Sequence, residues 1–348
     1  MKHNSTFRAF FSRSGISLLL FFIFAAIADA QWQKQTAATT AGLRGLSVVN
    51  EKIIWASGTG GTFLKTVDGG KTWIIGKVPD ADRLDFRDVE AFDANTAYLL
   101  SIGGGESSRI YKTIDGGATW KLQFKNTNEK AFFDAFAFWD STHGVAMSDP
   151  VDGKFYLLKT DDGANWKILD NRGMPPAKDG EAAFAASGTC LMRRGLIDLF
   201  MVTGGADARV FYSEDRGENW KVSETPVVRG TAGSGIFSIA LFQEVGIIVG
   251  GNYEKPDQIT DNLALKRNGK NTWTLGKGLN GYRSGVAYIN KKTIIAVGSS
   301  GSDISYDGGK SWKNLDKENY NAVAAKGKDS IWAVGANGLV AKFSTRKK

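Results

Sequence analysis

An all-β fold, a seven-bladed β-propeller of four-stranded antiparallel blades, is what three features of this 348-residue sequence predict. A short pattern, [Ser/Thr]-x-Asp-x-Gly-x-x-Trp, recurs along the chain. The tryptophans that close it, counted from Trp32 through Trp73, Trp120, Trp166, Trp220, Trp273 and Trp312, lie 41, 47, 46, 54, 53 and 39 residues apart. Each interval has room for four short apolar strands between Gly-rich turns, and few helical periods compete with them.

Residues 1–30 read as a secretory signal peptide. Lys2, Arg8 and Arg13 make a basic start, Ile16 to Ala28 is apolar except for Ser17, and Ala28-Asp29-Ala30 puts small residues at a cleavage site. The apolar run is shorter than the about 20 residues of a membrane-spanning helix, and no second run follows. The expected mature chain, residues 31–348, is one propeller domain with no stable membrane span. Its expected place is outside the cytoplasm, secreted or periplasmic, and its expected state is a monomer.

The formal charge is +8, of which +6 remains once Lys2, Arg8, Arg13 and Asp29 are removed. That excess is scattered apart from the Arg346-Lys347-Lys348 tail, so no nucleic-acid-binding stripe is predicted. Cys190 is the one cysteine, which excludes an intrachain disulfide; its neighbours Leu191 and Met192 point to a buried thiol.

The repeated turn has a physical reading. An Asp side chain accepts hydrogen bonds from backbone N–H groups ahead of it, and the Gly adopts the positive φ that the turn demands. Thr66–Trp73, Thr113–Trp120, Ser213–Trp220 and Ser305–Trp312 carry the pattern intact through Asp68, Asp115, Asp215 and Asp307. Lys159–Trp166 keeps Asp161 and Gly163 with Lys at the hydroxyl position. Lys266–Trp273 has Asn268 for the Asp and Gly269 one place early. These turns resemble the Asp-box, or BNR repeat, of sialidases and related propellers. The resemblance implies that the aspartates staple β-hairpins and take no part in catalysis.

In the first unit, Arg44–Val49, Ile53–Ser57, Phe63–Thr66 and Thr72–Gly76 read as successive strands from axis to rim. Inner strands are expected at Leu43–Val49, Phe86–Phe92, Phe133–Phe138, Ala182–Ala186, Phe237–Leu241, Arg283–Tyr288 and Tyr320–Ala324. The last unit has strands at Ile331–Val334 and Leu339–Phe343 but no fourth. Gln31–Gln35 is expected to supply it, closing the ring and removing exposed sheet edges.

In a four-stranded up-and-down blade the repeated turn lies at one end, and the start of each inner strand faces the axis at the other. That slot holds Arg44, Arg87, Asp134, Glu181, the Ser234–Phe237 stretch, Tyr282-Arg283 and Tyr320-Asn321. The second-to-third turns add Asp149 and Tyr253 to the same mouth, and unlike the repeated turn they differ from blade to blade. Arg44, Arg87, Arg283, Asp134, Glu181, Asn321, Asp149 and Tyr253 are therefore the candidate ligand-binding residues. Opposed charges there either pair and plug the channel or form a site for a protein partner or an anionic or glycan ligand.

A catalytic alternative uses Asp134 and Glu181 as paired carboxylates with Tyr282 as nucleophile. Sialidases use such residue types, but their Arg-Ile-Pro is absent here. His143 is the one histidine after residue 30, so Ser-His-Asp, Cys-His and His-rich metal schemes lack parts. No dinucleotide-binding G-x-G-x-x-G stands between a strand and a helix, and Asp149 with Asp152 makes no metal motif. No cofactor or metal is expected.

Seven such blades behind an export signal, with arginines on the inner strands, also resemble the photosystem II stability/assembly factor family. That resemblance covers most of residues 31–348. It implies an assembly-factor-like protein acting through an arginine-bearing surface, onto which Arg44, Arg87 and Arg283 map; Asp134 and Glu181 depart from a purely basic patch.

Overall fold

In the computed structural model, the residues described are 31–267 and 272–344, with Met1. The signal-peptide reading of residues 2–30, the Asn268-Gly269 part of the fifth turn and the Arg346-Lys347-Lys348 tail lie outside them.

Among the described residues, seven antiparallel four-strand blades surround one axis. The first is Leu43–Val48, Ile54–Gly58, Thr62–Thr66 and Ile74–Lys77; the second is Phe86–Ala91, Ala97–Ser101, Arg109–Thr113 and Lys121–Lys125. The third is Phe133–Phe138, Gly144–Val151, Lys154–Thr160 and Lys167–Ile168. The fourth is Leu191–Arg194, Asp198–Val202, Arg209–Ser213 and Lys221–Glu224. The fifth is Ser234–Phe242, Val245–Asn252, Leu263–Lys266 and Trp273–Leu275, and the sixth is Gly285–Tyr288, Ile294–Gly298, Gly301–Ser305 and Lys313–Asp316. Second strands such as Ile54–Gly58 and Ile331–Gly335 are buried at every position, whereas rim strands such as Ile74–Lys77 are largely exposed. Both faces of each blade are covered by its neighbours, so the core sits between blades.

The seventh blade joins Tyr320–Ala325, Ile331–Gly335 and Val340–Ser344 to Gln31–Gln35 from the other end of the chain. Trp32 pairs with Phe343, and its ring packs 5.1 Å from that of Phe343 and 5.3 Å from that of Tyr320. Its indole N–H donates to Ser302 Oγ at 3.0 Å, tying the closing strand to the sixth blade.

The repeated turns share one hydrogen-bond set. In the first, the Thr66 hydroxyl donates to Asp68 at 2.8 Å and accepts from the Gly70 N–H at 3.0 Å. Asp68 then accepts from the Thr72 N–H and hydroxyl at 3.0 and 2.6 Å. Asp115, Asp215 and Asp307 repeat these bonds. Gly70 has a φ of 88° and a Cβ there would collide with the Trp332 ring of the seventh blade. Trp73 meets that same ring edge-on at 5.7 Å, and Trp120 packs on Trp55 and Phe63 of the first blade.

Two local expectations are corrected. In the third turn Asp162, one residue after the expected Asp161, accepts from Ala164, Asn165 and Thr160; Thr160 Oγ1 accepts the Gly163 N–H at 2.9 Å. Asp161 instead pairs with Lys159 at 3.3 Å, so the turn closes one residue tighter than its siblings. The fourth inner strand is Leu191–Arg194, not Ala182–Ala186. Glu181–Ala182 pairs with Gly204–Gly205, which bridges to Gly235 of the fifth blade. The chain from there to Thr189 runs as a strap across the mouth of the channel.

Candidate functional site

A β-bulge recurs at the same place in five inner strands. The pairing steps from Leu43 to Gly45, Phe86 to Asp88, Phe133 to Ala135, Ile236 to Ser238 and Tyr320 to Ala322 while the facing strand advances one residue. The residues left out of the ladder are Arg44, Arg87, Asp134, Phe237 and Asn321. A bulge re-aims its extra side chain, and all five line a single cavity of about 510 Å³ at the mouth opposite the repeated turns. Asp149, Tyr253 and Tyr282 also line it, as do Phe132, Ser299 and the strap residues Ala182–Ala186.

The strap is held by the candidate residues themselves. Arg44 Nη1 donates to the Ala186 carbonyl at 3.3 Å, and Arg87 Nη1 donates to the Ala185 carbonyl at 3.2 Å. Asp149 accepts from the Ala183 N–H at 2.8 Å. Ser187 Oγ donates to the Ser284 carbonyl at 2.7 Å. Gly188, at φ 73°, passes so close to Asp88 that a Cβ would strike its carboxylate.

The cavity is electrostatically asymmetric. Arg87 is paired with Asp85 at 2.7 Å. Arg44 has no carboxylate partner among the described residues; burial, and then the charge of Arg87, hold its guanidinium below the ordinary value. Asp134 is 1% exposed, and its Oδ2 has no hydrogen-bond partner. Burial and the neighbouring Asp149 push the Asp134 carboxyl well up, and burial raises Asp149 to about 6. That direction favours the protonated form of Asp134, which can donate as well as accept. Beside these groups, the Phe184 and Phe237 rings are stacked 3.9 Å apart, with Tyr282 edge-on to Phe237 at 4.8 Å and Tyr253 edge-on to both. The arrangement suits an oxyanion held by guanidinium next to a flat apolar group.

Two candidates fall elsewhere. Glu181 is buried under the strap's foot, where Arg209 grips it through two nitrogens, with Nε at 2.9 Å, and Thr203 Oγ1 and the Lys178 N–H donate to it at 2.6 and 2.9 Å. Arg283 is fully buried against Asp303 at 2.6 Å and donates to the Tyr282 and Asn280 carbonyls and to Ser300 Oγ. In each ion pair the partner sits on a third strand: Arg209 begins Arg209–Ser213, and Asp303 lies in Gly301–Ser305. Asn321 lines the cavity while its amide donates to the Leu43 carbonyl at 2.8 Å. Tyr282 is 5% exposed, and burial raises its phenol above its ordinary value, unlike an activated nucleophile.

Sequence reasoning missed Phe184, Phe132, Ser299 and Asp85 and named Phe237 only within a stretch. For Phe184 a signal existed: the Trp-to-Trp interval around it is 54 residues, longer than those before it, as an insertion demands.

No family model matches this chain, and no curated protein matches it. Among solved structures it is similar to YCF48 bound to a D1 peptide, with a TM-score of 0.66 and 16% identity over 90% of this chain and 97% of that one. The resemblance is one of fold. YCF48 from Cyanidioschyzon merolae gives 0.65 and 18%, over 90% of this chain and 99% of that one. A GH74 enzyme from Niastella koreensis gives 0.59 and 14%, with 89% of this chain matched to 53% of the enzyme.

Proposed function

We propose that this chain is an exported binding protein whose propeller recognises a segment of a protein partner at the bulge-lined mouth. Arg44 and Arg87 take a carboxylate or other anionic group of that segment. The shelf of Phe184, Phe237, Tyr253 and Tyr282 takes an adjoining apolar side chain, and Asp134 and Asn321 orient its backbone. The observation that carries the reading is Arg44, a half-buried guanidinium facing a second guanidinium and, among the described residues, donating to a strap carbonyl alone. A bound oxyanion relieves both the desolvation and the repulsion. The likeness to a propeller solved with a peptide supports a peptide as the occupant.

The hydrolase alternative finds less support. It needs Glu181 facing Asp134 across open space, and Glu181 is instead consumed by Arg209, Thr203 and Lys178. The test is an array of peptides in matched pairs, each with Asp and Glu or with Asn and Gln, probed with residues 31–348 and with Arg44→Ala. The reading expects retention of acidic members only and loss of signal in the variant. Equal retention of the amide members overturns it.

A further inference from the structure

A second cavity, of about 340 Å³, opens between the fifth and sixth blades on the side of the repeated turns, away from Arg44 and Arg87. Lys266, Arg267, Lys291, Lys292 and Lys310 line it together with Leu265 and Tyr288. The one carboxylate in its wall, Asp307, is already saturated by Ser305, Ser311 and the Lys310 N–H. None of the five cations forms an ion pair among the described residues. The acids whose charges act on Lys266 are engaged elsewhere: Asp198 and Glu244 with Arg194, Glu214 with Lys221.

Lys266 gives the cleft its depth. It stands opposite Trp273, at the register where the other repeats bury the Thr or Ser hydroxyl that ties their turn. Here an ammonium replaces the hydroxyl. It is 2% exposed, lies 5.3 Å from the centre of the Phe200 ring, and has no hydrogen-bond acceptor among the described residues. Burial, and then Arg194, lower it from its ordinary value. The Lys266 side chain is buried and no acceptor among the described residues offsets its charge, and four more cations around one concave space add to the cost.

We propose that this cleft is an anion-binding site, distinct from the bulge-lined mouth, for a ligand carrying multiply charged phosphate or sulfate groups. Lys266 contacts the anion from the floor, the Arg267 fork takes two of its oxygens, and Lys291, Lys292 and Lys310 close over it. The volume lies in the range of small-molecule pockets, about 300–1,000 Å³.

The test is calorimetric titration of residues 31–348 with inorganic pyrophosphate and with sulfate, against chloride at matched ionic strength. Saturable pyrophosphate binding is expected, weakened at least tenfold in the exposed-lysine variant Lys291→Ser/Lys292→Ser and in Lys266→Met; Arg44→Ala removes any binding at the mouth and leaves this component in place. If sulfate binds as tightly as pyrophosphate, the ligand class is sulfate as much as phosphate and the site stands. Absence of saturable binding overturns the proposal, as does a double variant that binds like the parent or a loss confined to Arg44→Ala. Should Lys266→Met fail to fold, the double variant decides.

Discussion

The Phe184 ring lies flat on that of Phe237, 3.9 Å away with 4° between their planes. One ring belongs to the strap and the other to the bulge of the fifth blade, so this stack pins the cover of the channel to its wall. A stacked pair contributes about 1 kcal/mol beyond the area it buries. Phe184→Ala is therefore expected to free the strap while sparing the blades. Hydrogen exchange at residues 182–187 should quicken at least tenfold, with the midpoint of thermal unfolding moving only a few degrees. Unchanged exchange there would mean that the Arg44 and Arg87 bonds alone hold the strap.

In the third blade the load-carrying carboxylate is Asp162, which accepts three hydrogen bonds from backbone and side-chain donors at 2.8 Å. Asp162→Ala should cost roughly 1–2 kcal/mol by denaturant unfolding, as for other lost caps. Asp161→Ala, which removes half-exposed pairs with Lys159 and Lys167, should stay within about 0.5 kcal/mol. The reverse order would restore the register that the sequence pattern suggests.

Glu181 and Arg209 form a buried pair, with side chains 0% and 6% exposed. Arg209→Met leaves the carboxylate uncompensated and should cost about 3–5 kcal/mol. Adding Glu181→Gln to that variant should recover part of the loss, since the remaining group carries no charge. A Glu181→Gln single variant that abolished peptide retention without loss of stability would contradict the structural role given to this pair.

Stability should depend on pH in two opposed ways. Burial pushes Asp88 from 3.8 up to about 8 and Glu90 from 4.5 to about 7, and Asp149 reaches about 6. Each holds a proton in the folded chain that the unfolded chain releases, so stability falls as pH rises from about 4 to 8. The repeated turns act at the acid end. Hydrogen bonds hold Asp115 and Asp307 down to about 2, so their contribution is present above pH 4 and lost as pH falls through 2. The unfolding midpoint is expected to peak near pH 4, and Asp88→Asn should flatten the alkaline side. A midpoint that rises steadily from pH 5 to 8 would contradict the protonated carboxyls.

How far the sequence disclosed this molecule follows from which signals are local. The turn motif needs only residues within eight positions, so blade number and ring closure through Trp32 could be read directly. The strap could not. Glu181-Ala182-Ala183-Phe184 has the apolar alternation of an inner strand, while the true one, Leu191-Met192-Arg193-Arg194, is short and half charged. Two adjacent aspartates, Asp161 and Asp162, made the third turn ambiguous until hydrogen bonds chose between them. At the mouth, position gave Arg44, Arg87 and Asp134 but not their partners. The repeat assigns Glu181 and Arg283 to the same slot, yet Arg209 and Asp303 engage them from third strands and hold them away from the cavity. Arg44 has no carboxylate partner among the described residues, and the matching third strand, Thr62–Thr66, carries no acid.

The central claim is that Arg44 and Arg87 receive an anionic group of a protein partner. The most direct measurement is the affinity of the strongest acidic peptide from the array for residues 31–348, for Arg44→Ala and for Arg44→Lys, repeated with the amide form of that peptide. The account predicts at least tenfold weaker binding for Arg44→Ala and for the amide peptide, with Arg44→Lys intermediate because an ammonium keeps the charge but not the fork. Equal affinity of all three proteins for the acidic peptide would contradict it.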